Sequence, residues 1–227
     1  MTTAIARPLT CDTGTRLAGY AALLAFVTFN VGWLAGDLAQ QRSFSPLHDD
    51  ISDLGAQTAT SAWLYNQLAA NLSGLLLIGL AVGLWRILAT GRLGRLGVLT
   101  VTAVGAAGLG TFLDGVFRLD CQGIDVGCRN DSWHSHAHKI ESAVTVVAVL
   151  LSVLLLPFVL RRLGNTAAQW LPLLGAVPAL LAANVAFSAL GDGAATRAGT
   201  LVLFLSFAYV GYRLVRLDDV QVGPLRR

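Results

Sequence analysis

Two histidines four residues apart, His134 and His138, are followed three residues later by Glu141. If a helix begins near His134, this spacing sets the three side chains on one face, where two imidazoles and a carboxylate can meet one ion. Zinc suits such nitrogen and oxygen ligands, and three protein ligands with an open position is the catalytic arrangement. Soft Cu(I) chemistry is disfavoured, since the only methionine is Met1. The pair lacks the internal glutamate of H-E-x-x-H and so brings no general base of its own. Glu141, or an acid from the stretch His48-Asp49-Asp50-Ile51-Ser52-Asp53, has to take the proton. Without an ion, the same histidines and acids can hydrogen-bond to one another and cap the helix that follows.

The elements that carry these residues are set by composition. Of 227 residues, 55% are hydrophobic and only 13% charged, and the mean hydropathy is +0.64. A soluble domain carries about 25% charged residues, so this chain lacks the polar atoms to cover a water-facing surface. A spanning helix needs about 20 apolar residues, and runs of that kind lie at about 17–37, 62–86, 96–117, 139–160, 169–190 and 197–215. The expected fold is all-α, a polytopic six-helix transmembrane bundle over 17–215, with a cytoplasmic segment 1–16 and a cytoplasmic tail 216–227. Barrel strands are not expected, because the runs lack alternation. Pro157, Pro172 and Pro178 fall inside spans four and five, and the fifth helix is expected to bend. The small residues from Gly105 to Gly110 let a neighbouring backbone come close to the third. No cleavable signal peptide is read, so the first span is expected to stay as an anchor. Repeated halves of the inverted-repeat transporter kind are not evident, and the scattered arginines speak against nucleic acid as a partner.

With both termini inside, Arg7, Arg16, Arg86, Arg92, Arg95, Arg161, Arg162, Arg213, Arg216, Arg226 and Arg227 fall on the inner side. Arg42, Arg118, Arg129, Lys139 and Arg197 fall outside, an inside excess that orients the bundle in a plasma membrane. All four histidines and most acids, including Asp37, Asp53, Asp114, Asp120 and Glu141, then crowd the outer face. Cys121 and Cys128 share an outer loop where a disulfide can form, whereas Cys11 lies in the reducing compartment. A metal site using the two thiolates is the rival, although C-x6-C is not a standard ligand pair. Within the spans Asn30, Asn71, Asp114, Glu141, Ser142, Asn184 and Ser188 map to the outer halves, and the inner halves hold no Asn, Asp or Glu. That points to a vestibule open on one side and closed by an apolar layer on the other.

The stretch from Ser45 to Ala56 with its Ile51-Ser52-Asp53-Leu54-Gly55-Ala56 core resembles a bacterial six-helix membrane family known as domain of unknown function 998. So do Phe117-Arg118-Leu119-Asp120 after the third span and the His134/His138 pair before the fourth. The similarity covers about residues 17–215 and implies Ser52, Asp53, Gly55, Asp120, His134 and His138 as marked positions. The chain departs from that pattern at Arg118 and in the loop that carries Cys121 and Cys128. A looser similarity of site chemistry, in the gathering of Ser, Asp and His around zinc, links it to membrane hydrolases of the alkaline ceramidase and adiponectin-receptor type. Those have seven helices and other spacings.

The expected site is therefore outward-facing and built from Asp53, Asp114, Asp120, His134, His138 and Glu141. His134, His138 and one acid hold zinc, and a second carboxylate takes the proton, in a hydrolase or transferase acting on a lipid-like substrate. Two readings stand beside it. One is a non-catalytic sensor or accessory protein whose acidic loops bind a membrane protein partner. The other is a small-solute transporter, which calls for polar lining in the inner halves as well.

Overall fold

The structure, a computed structural model, describes residues 13–40, 43–89, 94–162 and 165–216. The apolar runs fold as helices because lipid offers no partner for a bare N–H or C=O. The helices are α1 (Thr13–Ala39), α2 (Ser73–Ala89), α3 (Gly94–Asp114), α4 (Trp133–Arg162), α5 (Ala167–Leu174), α6 (Ala176–Ser188) and α7 (Asp192–Val215). A π-helical segment, Leu64–Leu72, leads directly into α2, and a 3₁₀ turn occupies Ile51–Gly55. No strand is present among the described residues. By length and hydropathy six helices can cross a membrane, counting Leu64–Leu88 and Ala167–Ser188 as one span each. Arg7, Cys11, Asp12, Arg42, Arg92 and the tail from 217 onward lie outside the described residues.

The fifth span is broken rather than gently bent. Pro178 has no N–H to donate to the carbonyl of Leu174, and Gly175 joins the two pieces at the break. Pro157 by contrast is absorbed within α4. The helix α4 begins at Trp133, well before residue 139, so both paired histidines lie in its opening turns.

The helix order around the bundle follows from contacts. The helix α1 packs between α2 and α7, α3 packs between α2 and α4, and α6 lies against α7. The α2–α3 approach is close because both sides present glycine. A Cβ on Gly74 would stand 2.4 Å from the Phe112 nitrogen, and one on Gly108 would stand 2.8 Å from the Ile78 nitrogen. The half of the bundle nearest residues 13 and 215 is filled by Leu80, Leu84, Leu156, Leu160, Phe207 and Leu214, all fully buried. Three buried hydroxyls there turn back on their own helices: Thr100 donates to Leu96 O, Ser152 to Ala148 O and Ser206 to Val202 O. At its end the buried Asn165 accepts from Arg213 Nε and Nη2, so these polar groups are paired with each other.

The opposite end, which carries the long loops, is tied down by charge. Arg197 on α7 grips Asp37 on α1 with two bonds, Nε to Oδ2 at 3.0 Å and Nη2 to Oδ1 at 2.7 Å. Its Nη1 donates to the carbonyls of Asp49 and Gly193, and Trp33 and Phe44 flank the guanidinium. Both side chains are under one-tenth exposed. Cys121 and Cys128 are joined as a disulfide. Gln122, inside that ring, donates to Gln40 Oε1 and to the Asp53 carbonyl and so fastens the disulfide loop to the 3₁₀ turn.

Removing one partner of a buried pair leaves the other charge uncompensated, which costs about 3–5 kcal/mol, whereas replacing both by apolar groups is close to neutral. Asp37→Leu and Arg197→Leu should each lower the thermal unfolding temperature sharply in detergent. The double variant should lie nearer the parent than either single one.

Candidate metal centre

Three ionisable side chains meet under the loop end, one from the last residue of α3 and two from one face of α4. The Nδ1 atom of His138 lies 3.2 Å from Asp114 Oδ1 and 4.0 Å from Glu141 Oε2. One ligand atom from each of Asp114, His138 and Glu141 can be chosen so that all lie within 4.8 Å of one another, the spread of donors around a single ion. The His138 and Glu141 side chains are 7% exposed and that of Asp114 14%, so water does not screen them.

Second partners orient two of the three. Tyr65 donates to Asp114 Oδ2 at 2.7 Å, and Thr145, one turn below Glu141, donates to its Oε1 at 2.8 Å. That leaves His138 Nδ1 and Glu141 Oε2 buried without a hydrogen bond. Orphaned polar atoms of this kind are rare in a folded interior and call for an ion, a proton or an ordered water. Two carboxylates this close in low dielectric also need a compensating cation or proton. One imidazole and two carboxylates form a nitrogen–oxygen donor set suited to zinc or a similar divalent ion, with room left for a further ligand.

The local backbone serves Tyr65. The π-helical segment Leu64–Leu72 widens the start of the second span and brings Tyr65 across to α3. Departures of this kind recur at functional sites. Asn66 donates to the carbonyl of Gly55, tying the segment to the 3₁₀ turn. A Cβ on Gly55 would come within 2.5 Å of Asn66 Oδ1 and 2.8 Å of the Tyr65 ring. Only glycine fits there, which gives a physical reason for one of the motif positions. With its amide nitrogen turned toward them, Asn71 reaches the carbonyls of Asn66 at 3.0 Å and Phe112 at 2.9 Å, joining the same segment to α3.

Beside the cluster lies a cavity of about 290 Å³. Asp114, Glu141 and Tyr65 open onto it, Ser52 and Asp50 reach it from the start of the 3₁₀ turn, and Phe29 and Phe204, stacked with centroids 3.9 Å apart, form part of its floor.

The other expected site residues are placed elsewhere. His134 does not join His138. Its Nε2 lies 3.4 Å from Asp120 Oδ1, and its Nδ1 is 2.7 Å from the Arg118 carbonyl and 3.1 Å from the Ser132 hydroxyl. The residue sits one turn higher, at the helix start, where loop carbonyls and a carboxylate compete for the ring. Asp120 accepts from the Ser132 N–H at 3.0 Å at the start of α4. The hydroxyl and N–H of Ser132 hold its carboxyl below the usual range. It is a capping group and lies outside the convergent trio. Asp53 is buried in the 3₁₀ turn and is likewise no member of the trio. Burial pushes its carboxyl up to about 6, opposed by the N–H of Gly123 and reinforced by Asp50, Asp49 and Asp125. His136 is exposed. Of the polar residues expected to line a vestibule, Asn30 is absorbed locally, donating to Phe26 O and accepting from Trp33. Asn184 faces outward from α6, and Ser188 bonds to Val185 O. Tyr65 and Thr145 were not among the expected site residues. A hydroxyl one helical turn beyond Glu141 was the available signal for Thr145.

The family described as protein of unknown function (DUF998) matches residues 20–213. The chain belongs to that family. Neither the curated proteins nor the solved structures give a match. In this DUF998 chain the similarity spans all six membrane-crossing helices, and the marked positions divide by role. Ser52 lines the cavity, Gly55 seats Tyr65, His138 belongs to the trio, and Asp53, Asp120 and His134 fasten the loops above it.

The raised carboxyl of Asp53 sets the sign of a pH effect. The folded state holds its proton more tightly than the unfolded chain, so stability is full below about 4 and is lost as pH rises toward and through about 6. Asp53→Asn should remove that decline. Its unfolding temperature in detergent should exceed the parent's at neutral pH and converge with it near pH 4.

Proposed function

We propose that this protein is a metal-dependent hydrolase, or a transferase of the same acyl chemistry, working at the membrane on a lipid-like substrate. The observation that carries the reading is the convergence of Asp114, His138 and Glu141 with two buried ligand atoms lacking hydrogen bonds. Those three residues would hold the ion, of which zinc fits the donor set best. Bound there, a divalent ion would lower the pKa of water and polarise a carbonyl oxygen.

The protein's own groups account for the rest. Asp114 is held in place by the Tyr65 hydroxyl and Glu141 by the Thr145 hydroxyl, so the ligand set is fixed from its outer shell. A carboxylate that does not hold the ion would take the proton that water loses and return it to the departing oxygen or nitrogen, and Asp50, which lines the same cavity, is so placed. The oxygen of water bonds to the acyl carbon as the acyl–heteroatom bond breaks, giving a carboxylic acid and an alcohol or amine. In a transferase, a second alcohol or amine stands where water does.

Orientation belongs to the same reading. Arg86, Arg95, Arg161, Arg213 and Arg216 gather at the end where α1 begins and α7 finishes, while Asp37, Asp53, Asp120 and Asp125 gather at the loop end. Under the positive-inside rule both termini are cytoplasmic in a plasma membrane protein, and the trio faces outward. The disulfide in the loop above it agrees with an oxidising exterior. The closed apolar half speaks against a through-pathway and hence against transport. The capped, mutually bonded state of His134 and Asp120 leaves little for a partner-binding loop.

Metal analysis of protein purified without added chelator tests the reading. The parent should carry one divalent ion per chain, lost in His138→Ala and in Glu141→Gln and retained in His134→Ala. Tyr65→Phe should weaken binding about 10–100-fold, as loss of an outer-shell partner does. A parent free of bound metal, or retention in His138→Ala, overturns it.

A further inference from the structure

The cavity beside the trio is two-faced. Phe29, Val146, Val149, Leu203 and Phe204 make an apolar floor, and Ser52, Ser142, Thr145, Thr196 and Thr200 line the rest, with the Thr145, Thr196 and Thr200 hydroxyls donating to Glu141, the Asp192 carbonyl and the Arg197 carbonyl. From Thr196 at the mouth to Phe204 the helix rises about 12 Å at about 1.5 Å per residue, so the space is a slot running along the helices toward the membrane middle. Its volume of about 290 Å³ lies at the lower edge of the ~300–1,000 Å³ range of small-molecule pockets. That suits one hydrocarbon chain and not two.

The wall is open to the bilayer. Val146 lines the slot and is also 53% exposed, on a stretch of α4 where Val144 and Val147 are exposed too. The helix α6 lies chiefly against α7 and only lightly against α4, and the side of α4 around Val146 stays exposed.

The head of the occupant is constrained by charge. No lysine or arginine lines the slot, and the nearby Arg197 is spent on Asp37 and two carbonyls. Nothing there matches a phosphate, which is recognised by arginine, lysine or clustered N–H groups. Asp50 stands at the mouth and repels anions, while its carboxylate and the hydroxyl oxygens of Thr196 and Thr200 can accept from alcohol groups.

We infer that the slot binds a single-chain acyl lipid with an uncharged, hydroxylated head, which enters sideways from the bilayer and places its carbonyl at Asp114 and Glu141. This rests on the metal-centre reading for the position and the fate of the carbonyl, but binding of the chain and head in the slot can be read on its own.

The test uses the full chain in lipid nanodiscs, with metal content measured on the same samples. The probe is a monoacylglycerol whose medium-length chain ends in a photoreactive diazirine, and labelled peptides are mapped. Labelling should centre on α1, α4 and α7 around Phe29, Val149 and Leu203. It should fall at least tenfold with excess monodecanoylglycerol and much less with decanoyl phosphocholine. Val149→Trp, which fills the floor, should abolish the focused labelling while metal content stays at the parent's level, and Leu203→Trp serves as a second such variant should the first not fold. Labelling spread over exposed α6 and unmoved by competitor or by either variant overturns the inference while leaving the metal reading intact. Equal competition by the phosphocholine lipid also overturns it. Focused, competed labelling on a parent that carries no metal supports the slot and overturns the metal reading alone.

Discussion

A carboxyl group inside an apolar helix bundle has to be compensated, and in this protein two of them meet one imidazole within a few ångströms of each other. Asp114 ends α3, and His138 and Glu141 share a face of α4. Much of the unusual local structure can be traced to supplying partners for this trio. The π-helical segment delivers the Tyr65 hydroxyl to Asp114, the 3₁₀ turn seats Tyr65 against Gly55, and Thr145 turns inward to Glu141. What stays unmatched after these contacts is one nitrogen and one oxygen facing each other. Hydrocarbon-side burial makes that remainder expensive and therefore informative.

The two ends of the bundle are built on opposite principles. Near the termini, fully buried leucines, valines and Phe207 interdigitate, and the buried hydroxyls of Thr100, Ser152 and Ser206 fold back onto their own helices. Near the loops, specificity comes from polar fastening. The Arg197–Asp37 pair joins the first helix to the last, Gln122 ties the disulfide ring to the 3₁₀ turn, and Asp120 with Ser132 starts α4 at the right residue. The starting point of α4 matters to the site, because one residue of slip would rotate His138 and Glu141 by about 100° around the helix, at 3.6 residues per turn.

The membrane architecture and the family were legible from the sequence because burial in lipid is written in composition, and a proline's missing N–H marks where the fifth span gives way. The i, i+3 spacing of His138 and Glu141 likewise survives into the structure, since it depends only on helix geometry. Asp114 was visible as an acid in a hydrophobic run. The pairing of His134 with His138 did not survive, for a local reason. At a helix start the side chain meets loop carbonyls and Asp120, and these outcompete a convergence that needs both rings to point inward. Tyr65 and the Arg197–Asp37 pair were not legible as partners, because both contacts join residues far apart in the chain, 49 and 160 positions respectively, and no periodicity encodes them. The π-helical segment has no compositional mark either.

X-ray absorption at the metal edge of the purified, full-length protein reads the ligand shell itself and so bears most directly on the claim that Asp114, His138 and Glu141 form a metal centre. The geometry predicts a first shell of nitrogen and oxygen only, with the multiple-scattering signature of a single imidazole that disappears in His138→Ala. A shell with two or more imidazoles, one containing sulfur, or no bound metal at the edge would contradict it.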